Sequence, residues 1–194
     1  SGNTFTSSAP IYTSGALVEE FTDDNTFNCS GGVSSIVIEG GTLNEHATWS
    51  ARGTATQYVI SNHFAVGINK TLTLAPGVQV YTHYYTVAYD GDYIYDFNVN
   101  GTLNATAMAF TGYVDLNVGN GGTVNLSGVT ISGGNRNRES SWVDFQAGSM
   151  GTVTGSTFNI PLYQHSGTKA LPLLSFSGNT FTSSAPIYTS GALV

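Results

Sequence analysis

The sequence predicts an all-β chain folded as a right-handed parallel β-helix, a solenoid in which short strands stack turn upon turn. Three observations point there. The first is an internal repeat: residues 1–18 read SGNTFTSSAPIYTSGALV and residues 177–194 read the same, an offset of 176 residues (177 less 1). Repeats of this kind belong to arrays whose units cannot bury their apolar face alone. The second is a supply of short strand-like runs with no sustained helical periodicity. The third is a pair of turn markers that recur at the spacing of a solenoid coil.

The repeat divides the chain into one unit, residues 1–176, and the start of the next identical unit, residues 177–194. A window onto a long array of near-identical units accounts for this. An artificial duplication or a permuted chain is the alternative. At 22 to 30 residues per coil, the unit holds six to eight coils.

The strand-like runs are Ser35-Ile36-Val37-Ile38-Glu39, Gln57-Tyr58-Val59-Ile60, Leu72-Thr73-Leu74, Val78-Gln79-Val80-Tyr81, Tyr93-Ile94-Tyr95-Asp96-Phe97, Val124-Asn125-Leu126 and Val129-Thr130-Ile131. Gly, Asn and Ser punctuate them, and alternation of apolar and polar residues turns one side of each inward. The first marker is Asn-Thr-Phe or Ser-Thr-Phe, ending at Phe5, Phe27, Phe158 and Phe181. The second is Gly-Thr followed by Leu or Val, at Thr42, Thr102, Thr123 and Thr152, with Asn69-Lys70-Thr71-Leu72 as a variant. Each coil must bring the chain back to the same corner one strand spacing higher, and a fixed turn beside an apolar residue does this. The uneven spacing implies turns of varying length, with the longest outward loops in residues 84–95 and 133–141. The predicted inward residues are Phe5, Phe27, Leu43, Leu72, Leu74, Val99, Leu103, Val124, Leu126, Val129, Ile131, Val153, Phe158 and Phe181.

Composition bounds the function. Charged residues make up 9% of the chain, against about 25% in an average soluble domain. Hydrophobic residues make up 40%, too many for a disordered chain. The net charge of −7, from 5 basic and 12 acidic residues, argues against nucleic acid as a partner and against an anionic membrane surface. No apolar run is long enough for a membrane-spanning helix. The lone cysteine, Cys29, leaves no disulfide within a unit and is expected as a small core residue, with a bond between neighbouring units as the alternative.

Residues Tyr58-Val59-Ile60 through Asn69-Lys70-Thr71-Leu72-Thr73-Leu74-Ala75-Pro76-Gly77-Val78-Gln79-Val80 resemble a segment of secreted right-handed, pectate-lyase-like β-helix proteins, a strand followed by a "TLTI-x-PGV-x-V" run. Val99-Asn100-Gly101-Thr102-Leu103-Asn104-Ala105-Thr106-Ala107, followed by Phe110-Thr111-Gly112, resembles the next run of that family, and Asn125-Leu126-Ser127-Gly128-Val129-Thr130-Ile131-Ser132-Gly133 the coil that follows it. The resemblance covers roughly residues 58–181. It implies the fold and an extracellular or cell-surface setting, and says little about activity, since this fold hosts many functions.

Candidate chemistry is sparse. Asp90-Gly91-Asp92 with Asp96 is the best acidic cluster. If the segment is one strand, Asp92 and Asp96 share a side and offer oxygen ligands to Ca²⁺, although an Asp-Gly turn in a polar loop explains the same residues. No other cofactor is expected. Glu19-Glu20 and Asp23-Asp24 read as a solvated face, and Arg136, Arg138 and Glu139 as a solvated loop or part of a lateral contact. His46, His63, His83 and His165 lack metal-ligand spacing, and no nucleophile elbow or phosphate loop is present. The chain is therefore expected not to be an enzyme, with polysaccharide lyase or hydrolase activity as the residual possibility. Thr-x-Thr pairs recur, as at Thr71/Thr73 and Thr152/Thr154, but coils of varying length do not suit a regular ice-binding array. Acceptor sequons begin at Asn28, Asn69, Asn100, Asn104 and Asn125, about as many as this composition yields by chance.

These readings converge on a structural repeat unit of an extracellular filament, stalk or adhesin-like surface fibre. Its partners are neighbouring copies of itself, head to tail. The junction is expected at Thr4, Phe5, Ile11, Tyr12, Phe158, Thr180, Phe181, Ile187 and Tyr188. A carbohydrate-binding or polysaccharide-degrading β-helix is the alternative.

Overall fold

A computed structural model describes residues 2–6, 11–21, 23–28, 34–88, 91–135, 140–164, 173–182 and 186–189. The chain is nearly all β, 57% strand and 4% helix, coiled into a parallel β-solenoid of about seven turns. Three parallel sheets form its faces. The first face has eight strands: Ile11–Thr13, Ser35–Ile38, Gln57–Ile60, Gln79–Thr82, Ala109–Gly112, Thr130–Ile131, Thr157–Phe158 and Thr180–Phe181. The second has seven: Gly41–Leu43, Phe64–Val66, Asp96–Val99, Asp115–Val118, Trp142–Phe145, Leu162–Gln164 and Ile187–Thr189. The third has six: Ala47–Trp49, Thr71–Leu74, Thr102–Thr106, Thr123–Ser127, Met150–Thr154 and Leu173–Ser177. From Ser35 onward the chain visits the faces in that order on each turn, so the strands of a face pair with those one turn below and above.

The period of two along each strand sorts side chains into columns. On the first face Ile36, Tyr58, Val80, Phe110, Ile131 and Phe158 run inward in register. On the second, Phe64, Phe97, Leu116, Val143 and Leu162 do the same. On the third, Leu74, Ala105, Leu126 and Val153 are aligned. All these side chains are buried, and each fully buried large apolar residue contributes about 1.5–3 kcal/mol. Of the inward residues read from the sequence, Phe5 and Phe181 alone are only half-buried, packed against the core at the two ends of the stack. The others are buried.

Several sequence expectations need correction. The Gly-Thr marker does not mark one corner. Thr71, Thr102 and Thr123 do align on the third face. Gly41-Thr42-Leu43 lies on the second face, opposite Phe64–Val66. Gly151-Thr152-Val153 is displaced by two residues, so that Met150 pairs with Thr123 and Val153 with Leu126. A slip of two preserves which side chains point inward, so the core tolerates it. The run Tyr93-Ile94-Tyr95-Asp96-Phe97 is not one strand. Gly91–Ile94 pairs antiparallel with Tyr84–Val87 as an outward hairpin, and the chain rejoins the second face at Asp96–Val99. The excursion that the uneven marker spacing placed in residues 84–95 is this hairpin. Of residues 133–141, Asn135 and Ser140 form an isolated antiparallel bridge, and residues 136–139 lie outside the described residues.

The first turn is irregular. Gly15–Glu20 forms a 3₁₀ helix below Ala47–Trp49. Glu19 is not merely solvated: its carboxylate accepts the Thr48 main-chain N–H, taking the place of a neighbouring strand at this edge. Asp23 stands 3.3 Å from Arg52. The Tyr58 ring is fully buried and its hydroxyl donates to the Ser50 carbonyl. Burial pushes the Tyr58 phenol up to about 12, while Arg52 beside it pulls the other way. Because the folded value lies above the ordinary one near 10, the folded state holds this proton longer. Its contribution is complete below about pH 10 and is lost as pH rises through about 12, costing roughly 2–3 kcal/mol. Urea unfolding at a series of alkaline pH values should show this loss, and Tyr58→Phe should flatten it.

Candidate functional site

The second face carries an outward arrangement of aromatic and polar side chains. Alternation turns Phe97, Leu116, Val143 and Leu162 inward and therefore turns the intervening column outward. That column aligns Asn98, Asn117, Asp144, Tyr163 and Tyr188. The neighbouring outward column aligns Asp96, Asp115 and Trp142. Asn117, Trp142, Asp144 and Tyr163 line an open groove of about 290 Å³. The Trp142 and Tyr163 ring centroids lie 6.2 Å apart, edge to face, and Tyr163 and Tyr188 stack at 4.7 Å with planes 11° apart. Asp115 is buried and accepts a 2.8 Å hydrogen bond from Asn117 Nδ2. An aromatic platform flanked by an amide and a carboxylate suits a neutral hydroxylated ligand: the ring faces take C–H surfaces while the polar groups orient hydroxyls.

The sequence reading did not single out this groove. Its residues lie far apart in the chain and share no motif. The available signal was the pairing of Trp142 and Tyr163 at about one turn's separation, which becomes meaningful only when the turn length is known.

A second cluster surrounds the hairpin. Tyr85 stacks on Tyr93 at 5.6 Å and on Tyr95 at 5.0 Å. His63 meets Tyr85 and Tyr95 edge-on at 5.7 and 5.4 Å. Tyr84 stacks on His83 at 4.9 Å and meets Tyr113 at 5.0 Å. These contacts pin the hairpin to the face it leaves.

The acidic cluster expected near the hairpin is divided between elements. Asp92 sits in the hairpin, where its Oδ1 accepts a 2.6 Å hydrogen bond from Thr86. Asp96 begins a strand of the second face, and its Oδ2 stands 2.9 Å from His63 Nδ1. They do not share a strand side, because the chain changes sheets at Tyr95. Asp90 lies outside the described residues. Among the described residues no group of three or more His, Cys, Asp or Glu side chains is placed to hold a metal ion. Cys29, Arg136, Arg138, Glu139 and His165 also lie outside them.

Asn28, Asn69 and Asn100 are exposed, whereas Asn104 and Asn125 are half-buried on the third face. There Asn125 Nδ2 donates to Asn104 Oδ1 at 2.9 Å and Thr152 donates to Asn125 Oδ1 at 3.2 Å. This ladder engages the Asn125 Nδ2 that glycosylation would need. The Thr71, Thr102 and Thr123 column ends at the exposed Met150.

The residues expected at the unit junction occupy the two ends of the stack. Thr4 and Phe5 pair with Thr26 and Phe27, and Ile11 and Tyr12 with Ile36 and Val37. Thr180 and Phe181 pair with Thr157 and Phe158, and Ile187 and Tyr188 with Leu162 and Tyr163. Tyr12, Ile187 and Tyr188 are 60%, 49% and 49% exposed. No helix among the described residues is long and apolar enough to cross a membrane. No family model, curated protein or solved structure matches the chain.

Proposed function

We propose that this chain is a structural repeat unit of an extracellular filament or surface fibre, extended by stacking further β-solenoid turns end to end. One observation carries the reading. The repeated segment pairs in register with the body of the unit at both ends, its first copy below Thr26–Phe27 and Ser35–Ile38, its second above Thr157–Phe158 and Leu162–Gln164. A single segment able to stack on both sides makes a junction as continuous as any internal turn. The low charge and the resemblance to secreted pectate-lyase-like β-helices support the extracellular setting. The test is a chain carrying several consecutive 176-residue units, viewed by electron microscopy. Straight rods that lengthen in proportion to unit number are expected, and beads on a flexible string would overturn the reading.

The aromatic groove favours a second reading, binding of a neutral polysaccharide along the second face. Under it, Trp142→Ala should weaken retention in affinity electrophoresis through neutral glycans at least tenfold while leaving the urea midpoint little changed. Equal mobility of the two proteins at every glycan concentration would remove this reading. No turnover is proposed. Incubated polysaccharides should acquire no new ends, and release that disappears with Asp144→Asn would make the chain an enzyme.

A further inference from the structure

The two copies of the repeated segment have the same local structure but lie on different faces. Thr4–Phe5 and Ile11–Thr13 in the first copy correspond residue for residue to Thr180–Phe181 and Ile187–Thr189 in the second. Phe5 stacks on Phe27 at 5.1 Å with planes 12° apart, and Phe181 on Phe158 at the same distance and angle. In each stack the asparagine of the upper turn accepts a main-chain N–H from the turn below: Asn25 Oδ1 from Asn3 at 3.0 Å, and Asn179 Oδ1 from Ser156 at 2.9 Å. Asn179 is the second copy of Asn3, so the two interactions are consecutive rungs of one ladder.

The faces nevertheless differ. Ile11–Thr13 opens the first face, whereas Ile187–Thr189 ends the second. Thr4–Phe5 lies off the first face in a two-stranded sheet with Thr26–Phe27, held at the Phe27 N–H by Thr54, whereas Thr180–Phe181 lies on the first face. The eight strands of the first face make seven steps from Ile11–Thr13 to Thr180–Phe181, and Ile187–Thr189 is one face further on.

Building on the filament reading, we infer that the 176-residue repeat does not close on a whole number of turns. It spans about seven and one-third turns, so each unit is rotated on the one before it by roughly one face, a third of a turn, while rising about 35 Å. The partner for the open end is the second turn of the next copy. Its Phe27 lies over Phe181 as it lies over Phe5 here, and its Ile36 lies over Ile187 as it lies over Ile11. These side chains close the apolar recess of about 190 Å³ bounded by Leu162, Gln164, Phe176, Phe181 and Ile187.

The rotation has a consequence for the surface. Tyr12 of each unit stacks on Tyr163 of the preceding one, as Tyr188 does here, so the groove at Trp142 and Tyr163 is extended by the next copy. The hairpins and grooves of successive units point in three directions around the rod. They return to the first direction after every three units, about 105 Å along the axis.

Two experiments test this. Four consecutive units imaged by electron cryomicroscopy should show the hairpins at three azimuths, the fourth above the first. Hairpins aligned along one side, or a straight rod with any other rotation, would overturn the phase advance and leave the filament reading standing. A chain jointed between units would overturn both. In the 194-residue chain itself, the triple variant Cys29→Ser, Tyr163→Cys, Tyr188→Cys should form an intramolecular disulfide under mild oxidation, since these residues are in-register neighbours on the second face. Absence of that cross-link in a folded protein would overturn the placement of the second copy.

Discussion

Replacing Trp49 by Ala should lower the stability of this chain by about 3–5 kcal/mol, read as a shift of the urea unfolding midpoint. Trp49 is fully buried in the first strand of the third face. Its ring stacks on Tyr58 at 5.1 Å and leans on Phe64 at 5.3 Å. Those partners belong to the first and second faces, so this one side chain ties all three together at the start of the stack. Its indole N–H also donates a 2.9 Å hydrogen bond to the Gly15 carbonyl in the 3₁₀ helix that covers the edge. Trp49→Phe separates the two contributions. It keeps most of the ring volume but removes the donor, and should cost about 1–3 kcal/mol for the buried carbonyl left without its partner together with the smaller volume. If Trp49→Ala cost no more than a typical surface change, the packing described for the first turn would be wrong.

The second large effect is expected at Gly151. Its φ is +131°, a region that side chains rarely enter. A Cβ built there would lie 1.8 Å from the Val124 carbonyl oxygen on the paired strand. Backbone cannot yield as a flexible side chain can, so Gly151→Ala must open the ladder between Thr123–Ser127 and Met150–Thr154. A loss of about 3 kcal/mol or more is expected from strain and the disrupted ladder together. Gly121→Ala is the matched comparison. Gly121 also has positive φ, +79°, but open space where the Cβ would go, so its cost should be near the 1–2 kcal/mol of a left-handed residue alone. Equal midpoints for the two variants would show that close approach of the strands is not what Gly151 provides.

The same glycine shows how far the sequence can be read. Gly151-Thr152-Val153 looks like the turn marker at Gly101 and Gly122, and its displacement by two residues leaves no trace in the apolar pattern. Alternation was enough to identify which residues face inward: Leu72, Leu74, Leu103, Val124, Leu126, Val129, Ile131, Val153 and Phe158 are all buried. The uneven spacing of the turn markers was enough to place an outward excursion in residues 84–95, where alternation alone runs on through Tyr93-Ile94-Tyr95-Asp96-Phe97. Alternation was not enough to tell Asp92 from Asp96, since a strand that leaves the coil and one that rejoins it have the same local composition.

What the sequence by itself determined is therefore the class of fold, most of the inward set and the recurrence of residues 1–18 at 177–194. These depend on strand alternation and identity along the chain, which are local properties. What only the tertiary structure decided is which turn lies above which. Turn length varies, and the pairing of each strand with its neighbour is settled by packing across the whole stack. That pairing brings Asn117, Trp142, Asp144 and Tyr163 into one groove. It also places identical copies of one segment on different faces, because the number of residues in a repeat does not fix the number of turns they make.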